Sequence, residues 1–359
     1  MRRRYVDWLR AIAVLIMIEA HTLDAWTRPS SRTGRAFRDL TILGGFAAPL
    51  FLWLAGLALV LSAERTAEQT GDRRAAMAAV CRRGLEIFIL AFLFRLQAFI
   101  VSPGSWPVMI FKVDILNIMG PAMVAAGLLW GLTGGAKKTM MVLTAAGAVT
   151  AMVTPLVRSA HWVDLLPIWV QWYLRPAADL TTFSMFPWSA FVFAGGAVGV
   201  LLVSARSEGE RRLQIALALA GAILIAIGFG AARQPTIYGR GESAFWTSSP
   251  TFFAIRLGVI VCALPAAYFL NRWLARRSLE LTVLERLGRS SLFVYWIHVE
   301  LVYGYATWLL HRRLTLWQLA LAYSVFTAAM YGAVVLKDRA LAAWRARRAL
   351  GRPVQSALA

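Results

Sequence analysis

Hydrophobic residues run along the chain in blocks of about 20, the length a helix needs to cross roughly 30 Å of hydrocarbon. Ten such blocks cover roughly residues 5–25, 41–62, 79–101, 114–132, 139–157, 185–204, 213–231, 251–270, 290–310 and 316–336. They predict an all-α, polytopic integral membrane bundle of about ten transmembrane helices. The first block, RYVDWLRAIAVLIMIEAHTLDAW, breaks the apolar pattern in an ordered way. Arg10 and His21 lie eleven positions apart. At about 100° per residue that is three turns plus roughly 20°, so both side chains share one helical face. Asp7 and Asp24 extend the stripe through positions 7, 10, 14, 17, 21 and 24, the stepping of a buried seam. Each central charge costs about 2.5–3.5 kcal/mol on insertion scales, and a helix serving only as an anchor uses leucine there. This face is expected to line a site.

Between the blocks no hydrophilic stretch is long enough for a second domain. One transmembrane domain over 1–337 is expected, followed by a basic, surface-lying cytoplasmic tail at 338–359. The inner loop SAERTAEQTGDRRAAMAAVCRR is expected to run as a helix along the membrane surface. The outer segment RSAHWVDLLPIWVQWYLRPAADLTTF is broken by Pro167 and Pro176 and reads as an interfacial or re-entrant lid. A second outer loop, AARQPTIYGRGESAFWTSSP, carries turn residues and is expected to line an outward mouth. The runs LGGFAAPLFLWLAG and PWSAFVFAGGAVG predict close helix packing rather than nucleotide sites.

Composition sharpens this picture. Of 359 residues 59% are hydrophobic, and the 15 tryptophans, Trp246 among them, gather mostly near block ends, as an interfacial belt would place them. A net charge of +20 invites a nucleic-acid partner, but its distribution argues against one. With a cytoplasmic N-terminus, 24 of the 38 Lys and Arg fall on the inner side and 11 on the outer, while Arg10, Arg95 and Arg256 lie within spans. The excess sets orientation, so both termini are expected in the cytoplasm. Cys81 and Cys262 suit no disulfide framework, and the absence of CxxC and HExxH spacings argues against a metal. The opening MRRR resembles a signal peptide, yet Asp7, Arg10, Glu19 and His21 within the run mark a retained span.

His21 is the candidate general base, because an imidazole titrates near neutrality and can take a proton from an attacking hydroxyl or amine. Asp24, three residues on, is expected to orient it. Arg10 suits a phosphate, or a structural ion pair with Asp7. In the ninth block Ser291, Tyr295 and His298 share a face. His298, about 12 Å from the block's start, calls for a partner and is a candidate binding residue or a helix-to-helix bond. Glu300, about 200° round from His298, must meet a different neighbour. Arg95, Asn117 and Arg256 complete the binding candidates, facing an acidic neighbour, a carbonyl-bearing acceptor or the oxyanion of a tetrahedral intermediate. The arginines of the inner loops suit the phosphates of coenzyme A, although positive-inside bias alone also produces them.

The opening helix, then FAAPLFLWLAGLAL, KVDILNIMGPAMVAAGLL, FPWSAFVFAGGAVG and LGRSSLFVYWIHVELV, resemble in order the bacterial branch of the heparan-alpha-glucosaminide N-acetyltransferase catalytic-domain family, within the transmembrane acyltransferase superfamily. The Arg10-to-His21 spacing also resembles the acyltransferase-three branch, in which that histidine is taken as catalytic. The segment TRPSSRTGRAFRD has no histidine where the lysosomal enzyme of the first family places its own, so His21 is the available substitute. The resemblance implies that an acyl group, acetyl being the expectation, moves from cytosolic acyl-CoA to a sugar hydroxyl or amine of an envelope glycan across the inner membrane. The partners implied are the bilayer, acyl-CoA and an envelope saccharide. An alternative is a transporter of an envelope lipid or saccharide, which would also explain intramembrane charge, though no paired repeat is visible.

Overall fold

A computed structural model describes residues 3–102, 106–205, 209–232 and 248–350. The described chain is helical throughout: α1 Arg4–Trp26, α2 Arg35–Gly44, α3 Ala47–Thr70, α4 Arg73–Val101, α5 Ile115–Leu132, α6 Ala136–Ser159, α7 Ile168–Leu174, α8 Met185–Ser204, α9 Glu210–Ala231, α10 Pro250–Arg276, α11 Thr282–Arg289, α12 Ser291–Tyr303 and α13 Leu316–Leu350. Each of the ten apolar blocks falls on a helix, and the chain is an all-α multi-pass membrane bundle. Among the described residues eight helices are long and apolar enough to cross a membrane, with α2 and α3 counted as one stretch. Two blocks therefore depart from the expected ten ordinary spans. Helix α1 is long enough at 23 residues but carries five charges, while α12 has only 13 residues, about 20 Å, before a 3-10 turn takes over.

Helix α1 tolerates its charges because protein, not lipid, surrounds it. It packs against α2, α3, α10, α11, α12 and α13. Asp7 is buried; at the same end, Arg3 and Tyr5 bind Glu210 on α9, and Arg4 binds Glu280 and Glu285. At the other end, Arg312 and Arg313 donate backbone hydrogen bonds to Ala25 and Trp26, and Thr27 pairs with Leu314. The remaining helices form tightly packed pairs, α3 with α8, α4 with α5, α6 with α8 and α9 with α10.

The small-residue runs do pack closely. A Cβ on Gly56 would sit 1.9 Å from the Val192 carbonyl oxygen, and one on Gly195 would sit 1.8 Å from that of Trp53. Backbone therefore lies on backbone where α3 crosses α8.

Two surface expectations are corrected. The inner loop is a hairpin of two extended helices rather than a surface-lying one. Gly71, at φ +68°, ends α3 in the left-handed region, and the Asp72 side chain caps α4 by accepting from the Arg74 and Ala75 amides. The tail does not turn onto the surface at 338; α13 continues unbroken to Leu350, because nothing between Lys337 and that residue stops a helix. The second outer loop lies outside the described residues from 233 to 247, and with it Trp246, as does the end of the tail from 351. The Pro-broken outer segment is non-spanning, as expected: two 3-10 turns flank the seven-residue α7. Trp172 is buried there in a cluster with Val113 and Ile118.

The crossing generates a prediction. Gly195→Ala is expected to lower stability by about 1–3 kcal/mol or more, since the clash is with backbone that cannot rotate away. Gly332→Ala, with nothing within 4 Å, is expected to be neutral or to stabilise by up to about 1 kcal/mol. Thermal unfolding of the two variants in detergent measures the difference.

Candidate active site

A cavity of about 990 Å³ runs beside α1, and Arg10, Met17, His21 and Asp24 of the predicted seam line it. The fourteen steps from Arg10 to Asp24 span about 21 Å of helix axis, so the cavity is long and its two ends differ. Near Arg10 it is bordered by Arg83, Ser62 and Ser291; near His21 it meets Arg95, Lys112, Asp114, Arg256 and Glu300. The stem of the outer segment contributes Thr182 and Phe183 to the wall.

His21 is partnered by His298. The His298 Nδ1 lies 2.8 Å from the Val294 carbonyl oxygen and 3.1 Å from that of Tyr295. A carbonyl only accepts, so Nδ1 carries the hydrogen and Nε2 of the neutral ring holds a lone pair. That lone pair faces His21 Nδ1 at 2.9 Å, which makes His21 Nδ1 the donor. The same assignment leaves His21 Nε2 as a free base. The two rings are parallel to within 7° with centroids 5.1 Å apart. Stacked faces cannot bring atoms closer than about 3.5 Å, so the 2.9 Å contact is an edge-to-edge bond between coplanar rings. His298 is fully buried and does not line the cavity; its expected role in binding gives way to holding His21.

Asp24 does not orient His21, contrary to expectation. Its carboxylate lies at the cavity mouth, 63% exposed, 2.9 Å from the Tyr303 hydroxyl that donates to it and 3.7 Å from Arg32. A three-residue step leaves Asp24 about 60° round the helix and a turn away, while α12 delivers His298 directly. Tyr303 in turn packs edge-on against the His21 ring. Asp7 is not in the cavity wall either. It is buried under Arg10, whose Nη1 donates to Asp7 Oδ1 at 3.2 Å, so it positions the guanidinium rather than meeting a ligand. Asn117 is also structural: its Oδ1 accepts from the Asp114 amide in a capping box at the start of α5, and its Nδ2 donates to Tyr173 on α7. With both ends of its amide engaged and no exposure, it cannot reach a reacting carbonyl.

Arg95 and Arg256 both line the cavity, in different states. Arg95 is ion-paired to Asp114, both side chains about 15% exposed. Arg256 lies 4.0 Å above the Phe252 ring and 5.7 Å from that of Trp188, and among the described residues no carboxylate lies within ion-pair distance of it. Glu300, Lys112 and Tyr303 also belong to the wall, and none of them was given a role by helical spacing alone. The signal available for Glu300 was its placement: an acid eleven positions into an apolar block that needs a neighbour of its own.

Pairing inside this low-dielectric wall makes the Arg95–Asp114 bond sensitive to removal of one partner. Asp114→Asn keeps the helix cap but strands Arg95, and is expected to cost about 3–5 kcal/mol. Arg95→Gln combined with Asp114→Asn is expected to recover most of that loss. Unfolding midpoints of the single and double variants provide the measurement.

No protein of curated function matches the chain. The acyltransferase domain family matches it from residue 3 to residue 337, almost its whole length and all the helices that build the cavity. The match supports the transmembrane acyltransferase group broadly and does not single out the heparan-alpha-glucosaminide branch. Matched from end to end of its membrane bundle, the chain belongs to the acyltransferase domain family.

Proposed function

We propose that the chain transfers an acyl group, acetyl in the simplest case, from cytosolic acyl-CoA to a sugar hydroxyl or amine of an envelope glycan on the outer side of the inner membrane. The observation that carries this reading is the cavity that joins Arg10 and Arg83 at one end to the polarised His21–His298 pair near the other. The Lys and Arg asymmetry favours a cytoplasmic Arg10 end. Arg10 and Arg83 then face the side from which acyl-CoA arrives and suit its phosphates. The cavity is long and largely apolar along its middle, which suits an extended pantetheine arm.

The acceptor comes from the opposite end, beneath the aromatic outer segment. Its hydroxyl or amine attacks the thioester carbonyl carbon while His21 Nε2 takes the proton. His298 steadies the imidazolium by accepting from Nδ1, the part that a carboxylate plays in other triads. The tetrahedral oxyanion needs a donor that is not already committed. Arg256 fits this better than Arg95, which Asp114 holds, and Asn117 is out of reach. Collapse of the intermediate breaks the carbon–sulfur bond, and the thiolate recovers the proton from His21 to leave as free coenzyme A.

Radiolabelled acetyl-CoA incubated with purified protein and envelope glycan fractions tests the scheme. His21→Ala is expected to lower label transfer by about 10²-fold or more, the usual worth of a general base. His298→Ala is expected to lower kcat by about tenfold or more at an unchanged KM for acetyl-CoA, because it removes an orienter and not a ligand. Transfer that survives in His21→Ala removes the histidine from the mechanism. Absence of transfer with saccharide flux into liposomes supports a transporter instead. A reporter fused to the C-terminus is expected to read cytoplasmic.

A further inference from the structure

The His21 end of the cavity contains three carboxylates, Asp24, Asp114 and Glu300, and three cations, Arg95, Lys112 and Arg256. Two of the acids are spoken for: Asp114 by Arg95 and the α5 cap, Asp24 by Tyr303 and Arg32. Glu300 is different. Its residue is 8% exposed, its Oε2 accepts only a long 3.4 Å bond from the Ser102 hydroxyl, and its Oε1 has no partner among the described residues. A buried carboxylate oxygen without a donor among the described residues is costly, and a hydroxyl of a guest in the cavity can supply one. Ser102 and Glu300 both line the cavity, as His21 and Arg95 do.

We propose that Glu300 is an acceptor-anchoring residue that selects a neutral, polyhydroxylated partner over a charged one. A hydroxyl donates to Glu300 without bringing a charge into the membrane interior, whereas an ammonium would have to be desolvated beside Arg95. The His21 end of the wall holds three acids and three cations, so this end selects for hydrogen-bond donors and acceptors together rather than for either sign of charge. Trp188, Tyr295 and Tyr303 supply aromatic surface at the same end, which suits the apolar faces of sugar rings. The oxygen to be acylated presents to His21 while a second hydroxyl of the same sugar is held by Glu300. That the partner held by Glu300 is an acceptor rests on the acyl-transfer reading above; the binding role of Glu300 does not.

The test uses the full-length protein in detergent and three trisaccharides of similar size, maltotriose (neutral), the glucosamine trisaccharide (cationic) and trigalacturonate (anionic). Calorimetric binding and labelled acetyl transfer are followed in parallel. Maltotriose is expected to bind more tightly than either charged sugar. Glu300→Ala is expected to weaken it by about tenfold or more, the worth of a hydrogen bond to a charged group. Glu300→Gln, which keeps an accepting oxygen, is expected to restore part of the loss, and acetyl-CoA affinity is expected to stay unchanged in both variants. The proposal is overturned if wild-type protein binds maltotriose no better than the charged pair. It is equally overturned if Glu300→Ala binds maltotriose like wild type, or if that variant loses acetyl-CoA binding and thermal stability along with the sugar. Maltotriose binding that follows the expected pattern without any label transfer leaves Glu300 in place and removes acyl transfer. Label transfer with an acceptor KM that Glu300→Ala does not change does the reverse.

Discussion

The bond between His21 and His298 joins the first helix to the twelfth across 277 positions of chain, and the chemistry of the cavity depends on it. Inside hydrocarbon no water competes for an imidazole nitrogen, so a ring nitrogen must find a protein partner or leave the interior. The two carbonyls that hold His298 Nδ1 decide the tautomer of that ring, and the ring decides the tautomer of the next. A choice made by the backbone of α12 is thus relayed, one hydrogen at a time, to the nitrogen that meets the substrate. No ionised group is needed for the relay. In a membrane interior that is an advantage, since a carboxylate in the same place would bring its own desolvation cost.

Much of this arrangement was legible in the chain. Helices could be placed, though their ends at α3, α4, α10 and α13 could not, because blocks of lipid-length apolarity leave little choice of secondary structure and say nothing of how far a helix runs beyond the lipid. The polar seam on α1 identified one wall of the cavity because helical periodicity is a local property. What periodicity could not provide was the identity of partners on other helices. Asp24 looked like the orienter of His21 because it is three residues away, yet the ring reaches His298, far off in sequence. Asn117 looked like a free amide because its capping role depends on where α5 begins. Asp7 and Arg10 were weighed as a structural pair, and the ion pair is there, but only one of its members faces the cavity.

The segment LGGFAAPLFLWLAG shows how one stretch can serve two surfaces. Its glycine at 56 lets α3 lie against α8, backbone to backbone. Ala48, Ala55 and Ala58, on the other side of the same helix, line the cavity, and their small side chains leave the volume that longer ones would fill. Close packing was readable from the small residues; the empty space beside it was not, because a vacancy depends on how far the facing helices stand apart.

The backbone clasp between Trp26–Arg28 and Arg312–Leu314 has a mechanical consequence. It fastens the far end of α1 to the chain that enters α13, while ion pairs from Arg3 and Arg4 fasten the near end. Held at both tips, the helix that bears His21 is a fixed beam. A stationary anvil of this kind keeps the His21 ring in register with its partner on α12.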